Sequence, residues 1–213
     1  MAKRSKYVKP EDRHILEANV VASKQISPNF VRVTIGGDGL QQFSPMGEID
    51  IDFVSHGDGG PASAWAAKAA PGDQVAFLDE GLIYNPTEDY EWQLLVGDES
   101  ALPAIMGIVS TAPRDLKAEV FLEIPHADDA QTVAAPEGVD IHWVIRTDAH
   151  THPGLLALAA VQDATLPDGP SYTYIAGERE LATSLRRHLV NDRKFPKSNV
   201  TFTGYWRFGK AQG

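Results

Sequence analysis

Four short stretches of this chain combine residue types that do chemistry. Gly97-Asp98-Glu99-Ser100 stands between an apolar run, Trp92 to Val96, and a helix-forming segment from about Ala101 to Thr111. In an open α/β sheet, ligands bind beyond the carboxyl ends of the strands, and N–H groups in a helix's first turn can hold an anion such as a pyrophosphate. Ser100 adds a hydroxyl donor, whereas Asp98 and Glu99 bring opposing negative charge. The competing role is structural, with Asp98 or Ser100 capping the helix. Ala176-Gly177-Glu178 repeats the arrangement after a later strand. Glu178 either accepts hydrogen bonds from ribose or amide groups or places favourable charge at a helix N-terminus. Gly59-Gly60-Pro61-Ala62-Ser63 is a glycine turn opening a third helix, either a phosphate cradle or a plain turn with Ser63 near the cap. Tyr205-Trp206-Arg207, near the end, can stack on a flat ring and meet a phosphate or carboxylate, or can anchor the tail.

Other matches lead nowhere. Gly204 to Lys210 follows the first part of a P-loop, but Ala211 stands where a hydroxyl must bind magnesium. His150 and His152 share a loop without a third ligand nearby, so they read as solvated residues rather than a metal site. Asn199-Val200-Thr201 fits a glycosylation acceptor with no export signal to accompany it. No nucleophile elbow and no zinc-helix motif occurs, which removes support for hydrolases.

The elements that must position these stretches change character along the chain. Ile15 to Ala22, Phe30 to Ile35, Glu48 to Val54 and Gln74 to Leu78 read as short strands. In the second, Val31, Val33 and Ile35 alternate with Arg32 and Thr34; in the third, Ile49, Ile51 and Phe53 alternate with Asp50 and Asp52. Closely spaced strands of this kind predict a small barrel. Pro61 to Ala69 reads as a helix with proline in its first turn. From Glu91 onward, apolar strands alternate with helices: strands at Trp92–Val96, Lys117–Ile124, Asp140–Arg146, Tyr172–Ile175 and Val200–Thr203, and helices at about 101–111, 154–162 and 181–191. That alternation predicts a parallel sheet covered on both faces. The chain therefore divides into a β domain over residues 1–85 and an α/β domain over residues 91–213, with Asn85 to Asp89 as linker.

Composition narrows the function classes. The 213 residues are 43% hydrophobic, enough for a proper core, and carry a formal charge of −10, which repels nucleic-acid backbones. The absence of cysteine excludes disulfides, thiolate-held iron–sulfur clusters and a cysteine nucleophile. An electron carrier here would have to be an organic cofactor or a metal held without thiolate. No long apolar run suits stable membrane insertion, and the basic N-terminal segment has no apolar stretch behind it. A cytoplasmic location is the expectation.

In their order, these pieces resemble the siderophore-interacting proteins, relatives of the ferredoxin reductases. The matching residues are Asp50-Ile51-Asp52-Phe53-Val54 with His56-Gly57, Gly60-Pro61-Ala62-Ser63-Ala64-Trp65-Ala66, and Pro71-Gly72-Asp73. Leu94 to Ile105, Ala176-Gly177-Glu178 with Leu185-Arg186-Arg187-His188-Leu189, and Gly204-Tyr205-Trp206-Arg207 complete the set. The resemblance implies a flavin-binding β-barrel that carries FAD, joined to an α/β nucleotide-binding domain for NADPH or NADH. It implies a ferric siderophore as the small-molecule substrate. The cofactor-binding candidates are Asp52, Val54, His56, Gly60, Pro61, Ala62 and Ser63 in the barrel. In the second domain they are Asp98, Ser100, Ala101, Gly177, Glu178, Tyr205 and Trp206. Arg186, Arg187 and Arg207 are the substrate-binding candidates, with Arg146 a further anion-binding candidate. Arg186, Arg187 and Arg146 alternatively belong to a solvated surface. The expected chemistry is electron relay from nicotinamide through flavin to chelated iron, with no acid–base residue and no iron ligand from the protein.

One departure bears on the barrel. The family carries an Arg-x-Tyr-Thr/Ser motif on a strand ahead of Glu48 to Val54, and here Phe43-Ser44-Pro45-Met46-Gly47 runs straight into that strand. Either a segment of a few dozen residues is omitted from this sequence, or the protein does without it. A true absence predicts too few strands to close the barrel, and open sheet edges.

Overall fold

The structure is a computed structural model that describes residues 15–55, 60–86, 90–148 and 150–210. The chain forms two compact units that divide between Leu82 and Ile83.

In the first unit, β1 (Ile15–Ser27), β2 (Phe30–Gly36), β3 (Glu48–Val54) and β4 (Gln74–Leu78) form an antiparallel sheet in the order β3-β2-β1-β4. The predicted first strand ends at Ala22, but β1 continues to Ser27. Its register shifts at Val20/Ala22 and Gln25/Ser27 mark the irregularities at which a long strand bends. The alternation seen in the sequence decides the faces. Val31, Val33 and Ile35 are buried with Ala18, Val20 and Leu40, and Ile49, Ile51 and Phe53 pack against them from β3. On the opposite face, Arg32 faces Asp52 and Thr34 faces Asp50 across the two strands. Short helix α1 (Pro61–Ala66) buries Ala66 and sets Trp65 edge-on against Phe53 at 5.5 Å between ring centroids.

This sheet is a curled half-barrel, open at β3 and β4 among the described residues. Its chain path explains why. Only Gly37 to Gly47 connect β2 to β3, through a short 3-10 turn over Asp38–Gln42. The connection is closed by a hydrogen bond from Gly37 N to Gly47 O at 3.1 Å. Gly47 sits at φ 65°, a left-handed conformation that glycine adopts without steric cost. β2 and β3 are therefore direct antiparallel neighbours.

The second unit holds β5 (Trp92–Gly97), α2 (Leu102–Thr111), β6 (Ala118–Ile124), β7 (Val139–Ile145), α3 (Leu155–Asp163), β8 (Ser171–Glu178), α4 (Arg179–Asn191) and β9 (Val200–Trp206). The five strands are parallel in the order β7-β6-β5-β8-β9. Every residue of β5 and β8 is buried, as near-continuous apolar strands in a doubly covered sheet should be. On one face, Leu94, Val96, Phe121 and Ile175 pack against Val161 of α3 and Leu181, Leu185 and Leu189 of α4. Positions 181, 185 and 189 fall on one helical stripe, so α4 needs no more than its spacing to find the sheet. Truncating any one of these leucines to alanine costs about 2–5 kcal/mol.

The other face is covered differently. Ile105 of α2 lies against Gly97, where an added Cβ would meet Ala101 and Ile105 at 2.7 and 2.8 Å. Beside it a strap of tyrosines covers β8. Tyr84 stands edge-on to Tyr172 and Tyr174 at 5.6 and 5.8 Å, and Tyr90 contacts Tyr172. Tyr84 donates to Gln93 Oε1 at 2.7 Å, and Tyr172 accepts from Asn85 N at 3.1 Å. Burial of the Tyr84 phenol pushes its pKa up to about 12, so it stays a neutral donor.

Candidate functional site

The order of the parallel strands reverses direction between β5 and β8, and there the conserved logic of open α/β sheets places a crevice. The loop after β5 and the end of β8 meet at this point. β8 and β9 run past their predicted ends at Ile175 and Thr203, because the parallel ladder continues through Gly177–Gly204 and Glu178–Trp206. Gly177, Glu178, Tyr205 and Trp206 are thus strand residues, held by the sheet rather than by a loop.

Asp98 is the centre of the cluster. It is fully buried, and four protein donors address its carboxylate. Oδ1 accepts from Ser100 N at 2.9 Å and from Ser100 Oγ at 2.5 Å. Oδ2 accepts from Glu178 N at 2.6 Å and from the indole Nε1 of Trp206 at 3.0 Å. Burial and the neighbouring Glu99 push the Asp98 carboxyl up to about 6, against the opposite pull of its Ser100 and Glu178 donors. Gly177 makes the approach possible. At φ 125° it has a backbone that L side chains rarely adopt, and a Cβ there would meet the Asp98 carboxylate at 2.6 Å.

Glu178 does the equivalent work one strand over. Its carboxylate accepts from Glu180 N, capping α4, and from Phe208 N at 3.1 Å, tying down the residues after β9. At α2 the backbone N–H groups of Ala101 and Leu102 bond to Asp98 O at 3.0 and 3.1 Å, and Pro103 carries no N–H. Glu178 therefore caps α4 through its side chain, whereas α2 starts on the backbone carbonyl of Asp98 without a side-chain cap.

A second carboxylate pair lies directly behind. Arg146 directs Nη2 and Nη1 to Glu99 at 2.7 and 3.1 Å, and Nη1 to Glu123 at 2.6 Å. Glu123 accepts in turn from Gly154 N and Ala157 N at 2.8 and 2.9 Å, capping α3. Burial pulls the Arg146 pKa down, but the two carboxylates more than offset it, so the guanidinium stays charged. Arg146 is buried and committed, so its donors go to protein carboxylates rather than to a bound phosphate. Glu123 escaped the sequence reading. The available signal was an acid inside the otherwise apolar run Val120 to Ile124.

The remaining candidates lie elsewhere. Arg187 and Arg207 are exposed. Arg186 lays its guanidinium over Phe202 of β9, 4.9 Å from the ring centroid. Tyr205 pairs its hydroxyl with that of Tyr174 at 2.8 Å. Asp52 and Val54 belong to β3 in the first unit. There Arg32 grips both Asp52 oxygens through Nε and Nη2 at 2.7 and 2.9 Å. Gly60 to Ser63 open α1, where the Ser63 hydroxyl and the Gly60 backbone bond reciprocally at 3.1 and 3.2 Å. Open space surrounds Gly60: an added Cβ would meet nothing within 4 Å, so a ligand can approach this turn closely. His56 lies outside the described residues. Among those described, no three His, Asp or Glu side chains gather to hold a metal ion.

The half-barrel followed by a parallel sheet with helices is a ferredoxin reductase-like fold. A ferredoxin reductase of carbazole 1,9a-dioxygenase superposes with a TM-score of 0.71 over 92% of this chain and 69% of that one, at 15% identity, a likeness of fold alone. The chain belongs to the siderophore-interacting protein family: residues 90–209 match the model described as "Siderophore-interacting protein", and residues 44–82 match "Siderophore-interacting FAD-binding domain". A siderophore utilization protein from T. fusca superposes with a TM-score of 0.81 at 27% identity, over 97% of each chain. The ferric vibriobactin reductase ViuB of Vibrio cholerae is 34% identical over 167 residues, 78% of this chain; the chain spans 61% of that relative's length.

Proposed function

We propose that this protein is an FAD-dependent ferric-siderophore reductase, passing electrons from NADPH or NADH to siderophore-bound ferric iron and releasing it as ferrous iron. The observation that carries this reading is the succession, in one chain, of an FAD-binding match over residues 44–82 and a siderophore-interacting match over residues 90–209. A bound flavin supplies the exchange between two-electron and one-electron steps that nicotinamide and iron require of each other. The chain's own part is to bind and orient. The open turn at Gly60 suits close approach by the flavin diphosphate, with Pro61, Ala62 and Ser63 lining it and Asp52, Val54 and His56 before it. The Tyr205–Trp206 pair supplies flat amphipathic side chains. Asp98 and Glu178 reach bound cofactor only through the groups they hold, and Ser100, Ala101 and Gly177 complete that support. Because the α4 N-terminus is capped by the Glu178 carboxylate and the first N–H groups of α2 bond to the Asp98 carbonyl, phosphates of the nicotinamide cofactor fall to cations, and we assign them to half-buried Arg186 and exposed Arg187. Arg207 faces the anionic siderophore. Iron stays with its chelator throughout, so no protein ligand is required.

A second reading has its own observation. The direct pairing of β2 with β3 leaves no strand for the Arg-x-Tyr-Thr/Ser motif, which favours a relative that holds a siderophore or nucleotide without a redox step. Titration of the purified protein with FAD separates the two. Saturable binding with a shifted, structured flavin absorption band supports the reductase; a flavin spectrum indistinguishable from free FAD supports the binding protein.

A further inference from the structure

The Asp98 carboxylate joins three parts of the chain that are far apart in sequence. It closes the turn at Ser100, holds the end of β8 through Glu178 N, and holds the ring of Trp206 at the end of β9. Glu178 adds the bond from Phe208 N, so the segment from Trp206 to Phe208 is fixed at two points by two carboxylates. Trp206 is half-buried, and its ring also stands edge-on to Phe208 at 6.4 Å between centroids. A buried carboxylate with four converging donors costs desolvation that a simple turn would avoid. Ser100 alone could cap this loop, and β9 is already paired to β8 by its backbone. What the carboxylate adds is a directional bond to one indole. We propose that Asp98 is a positioning residue of the reductase site, acting through the indole N–H of Trp206 to hold that ring in a single orientation.

This rests on the reductase reading only for its functional consequence; the hold on Trp206 stands on the geometry. The site discriminates between carboxylate and amide. Asparagine has the same shape, but one of its two terminal atoms is a donor. With four donors converging, two would then face an N–H₂ group and the other two a neutral oxygen, so the bond to Trp206 is lost or weakened whichever way the amide turns. Trp206→Phe keeps an aromatic ring but removes the N–H together with the five-membered ring that carries it.

The test uses the full chain labelled with ¹⁵N-tryptophan, in the wild type, Asp98→Asn and Trp206→Phe, the last assigning the Trp206 signal. Loss of a charge-assisted hydrogen bond predicts that the Trp206 indole proton of Asp98→Asn moves upfield and exchanges with solvent about tenfold faster. The other three indole signals stay in place, which reports that the variant is folded. In turnover with FAD, NADPH and a ferric siderophore, each variant should lose about tenfold in kcat with KM little changed. The double variant should lose no more than the worse single one, because both act through one bond. An unchanged indole shift and exchange rate in Asp98→Asn overturns the proposal, as does additive loss in the double variant. A wild type that binds no flavin and turns nothing over defeats the reductase reading instead, and the indole result still reports the hold by itself.

Discussion

Arg146 and Glu99 form a two-pronged ion pair, 2.7 and 3.1 Å, in the buried layer behind the switch point of the parallel sheet. Glu123 shares the same guanidinium, so one cation serves two buried acids that also stabilise the start of α3. Arg146→Met removes the cation that bridges the two acids. We expect a loss of about 3–5 kcal/mol in denaturant unfolding, because breaking a buried pair strands charge where water cannot reach. Arg146→Lys should recover only part of it, since a lysine cannot grip Glu99 with two nitrogens.

Gly177→Ala is predicted to cost about 2 kcal/mol or more, from the strained backbone and the collision with Asp98 together. Gly60→Ala is its control. With nothing within 4 Å of the added Cβ and no left-handed φ, it should leave the melting temperature nearly unchanged. If Gly60 lines the flavin diphosphate, that same change should still weaken FAD binding, measured by fluorescence titration.

The raised pKa of Asp98 makes a pH prediction with a definite sign. Its carboxyl titrates at about 6 in the folded chain, against 3.8 ordinarily, because it is buried beside Glu99. Between these values the folded state binds the proton more tightly than the unfolded state. The Asp98 contribution to stability is therefore greatest at acid pH and falls as pH rises through about 6, the reverse of a salt-bridged aspartate. Other charged groups near it are Glu178 at the end of β8 and Arg146, which acts through Glu99. Unfolding free energies of wild type relative to Asp98→Asn should fall by on the order of 2–3 kcal/mol between about pH 4 and pH 7. A flat difference would contradict the burial of an ionisable carboxyl here.

For the nicotinamide cofactor, replacing Arg186 and Arg187 together by glutamine should raise the KM for NADPH about tenfold, with FAD binding unaffected. Unchanged KM would leave Arg187 as a solvated surface residue and Arg186 as a cover for Phe202.

Much of the fold was legible because its periodicities are strong. The alternation in Phe30 to Ile35 and Glu48 to Val54, and the leucine stripe on α4, each permit one packing direction. The division into a β unit and an α/β unit follows from the change in pattern after Glu91. Strand ends were less legible. β1, β8 and β9 run past their predicted limits because pairing with a neighbour, which a local window cannot see, carries the ladder on. The site was legible as residue types rather than as roles. Asp98, Ser100, Gly177, Glu178 and Trp206 do come together. Their capping and holding function depends on bonds across 80 and 108 residues of chain, which spacing cannot reveal. The tyrosine strap over β8 left no pattern at all, since Tyr84 and Tyr90 sit in an irregular segment.

We propose that this chain, with its half-barrel, delivers electrons to chelated iron. Purified protein incubated with FAD, NADPH and a ferric siderophore, with a chromogenic chelator to trap ferrous iron, tests it most directly. Colour should develop in proportion to protein and only when FAD and NADPH are both present. Colour no faster than in a protein-free mixture, with no flavin retained by the protein, would contradict the account.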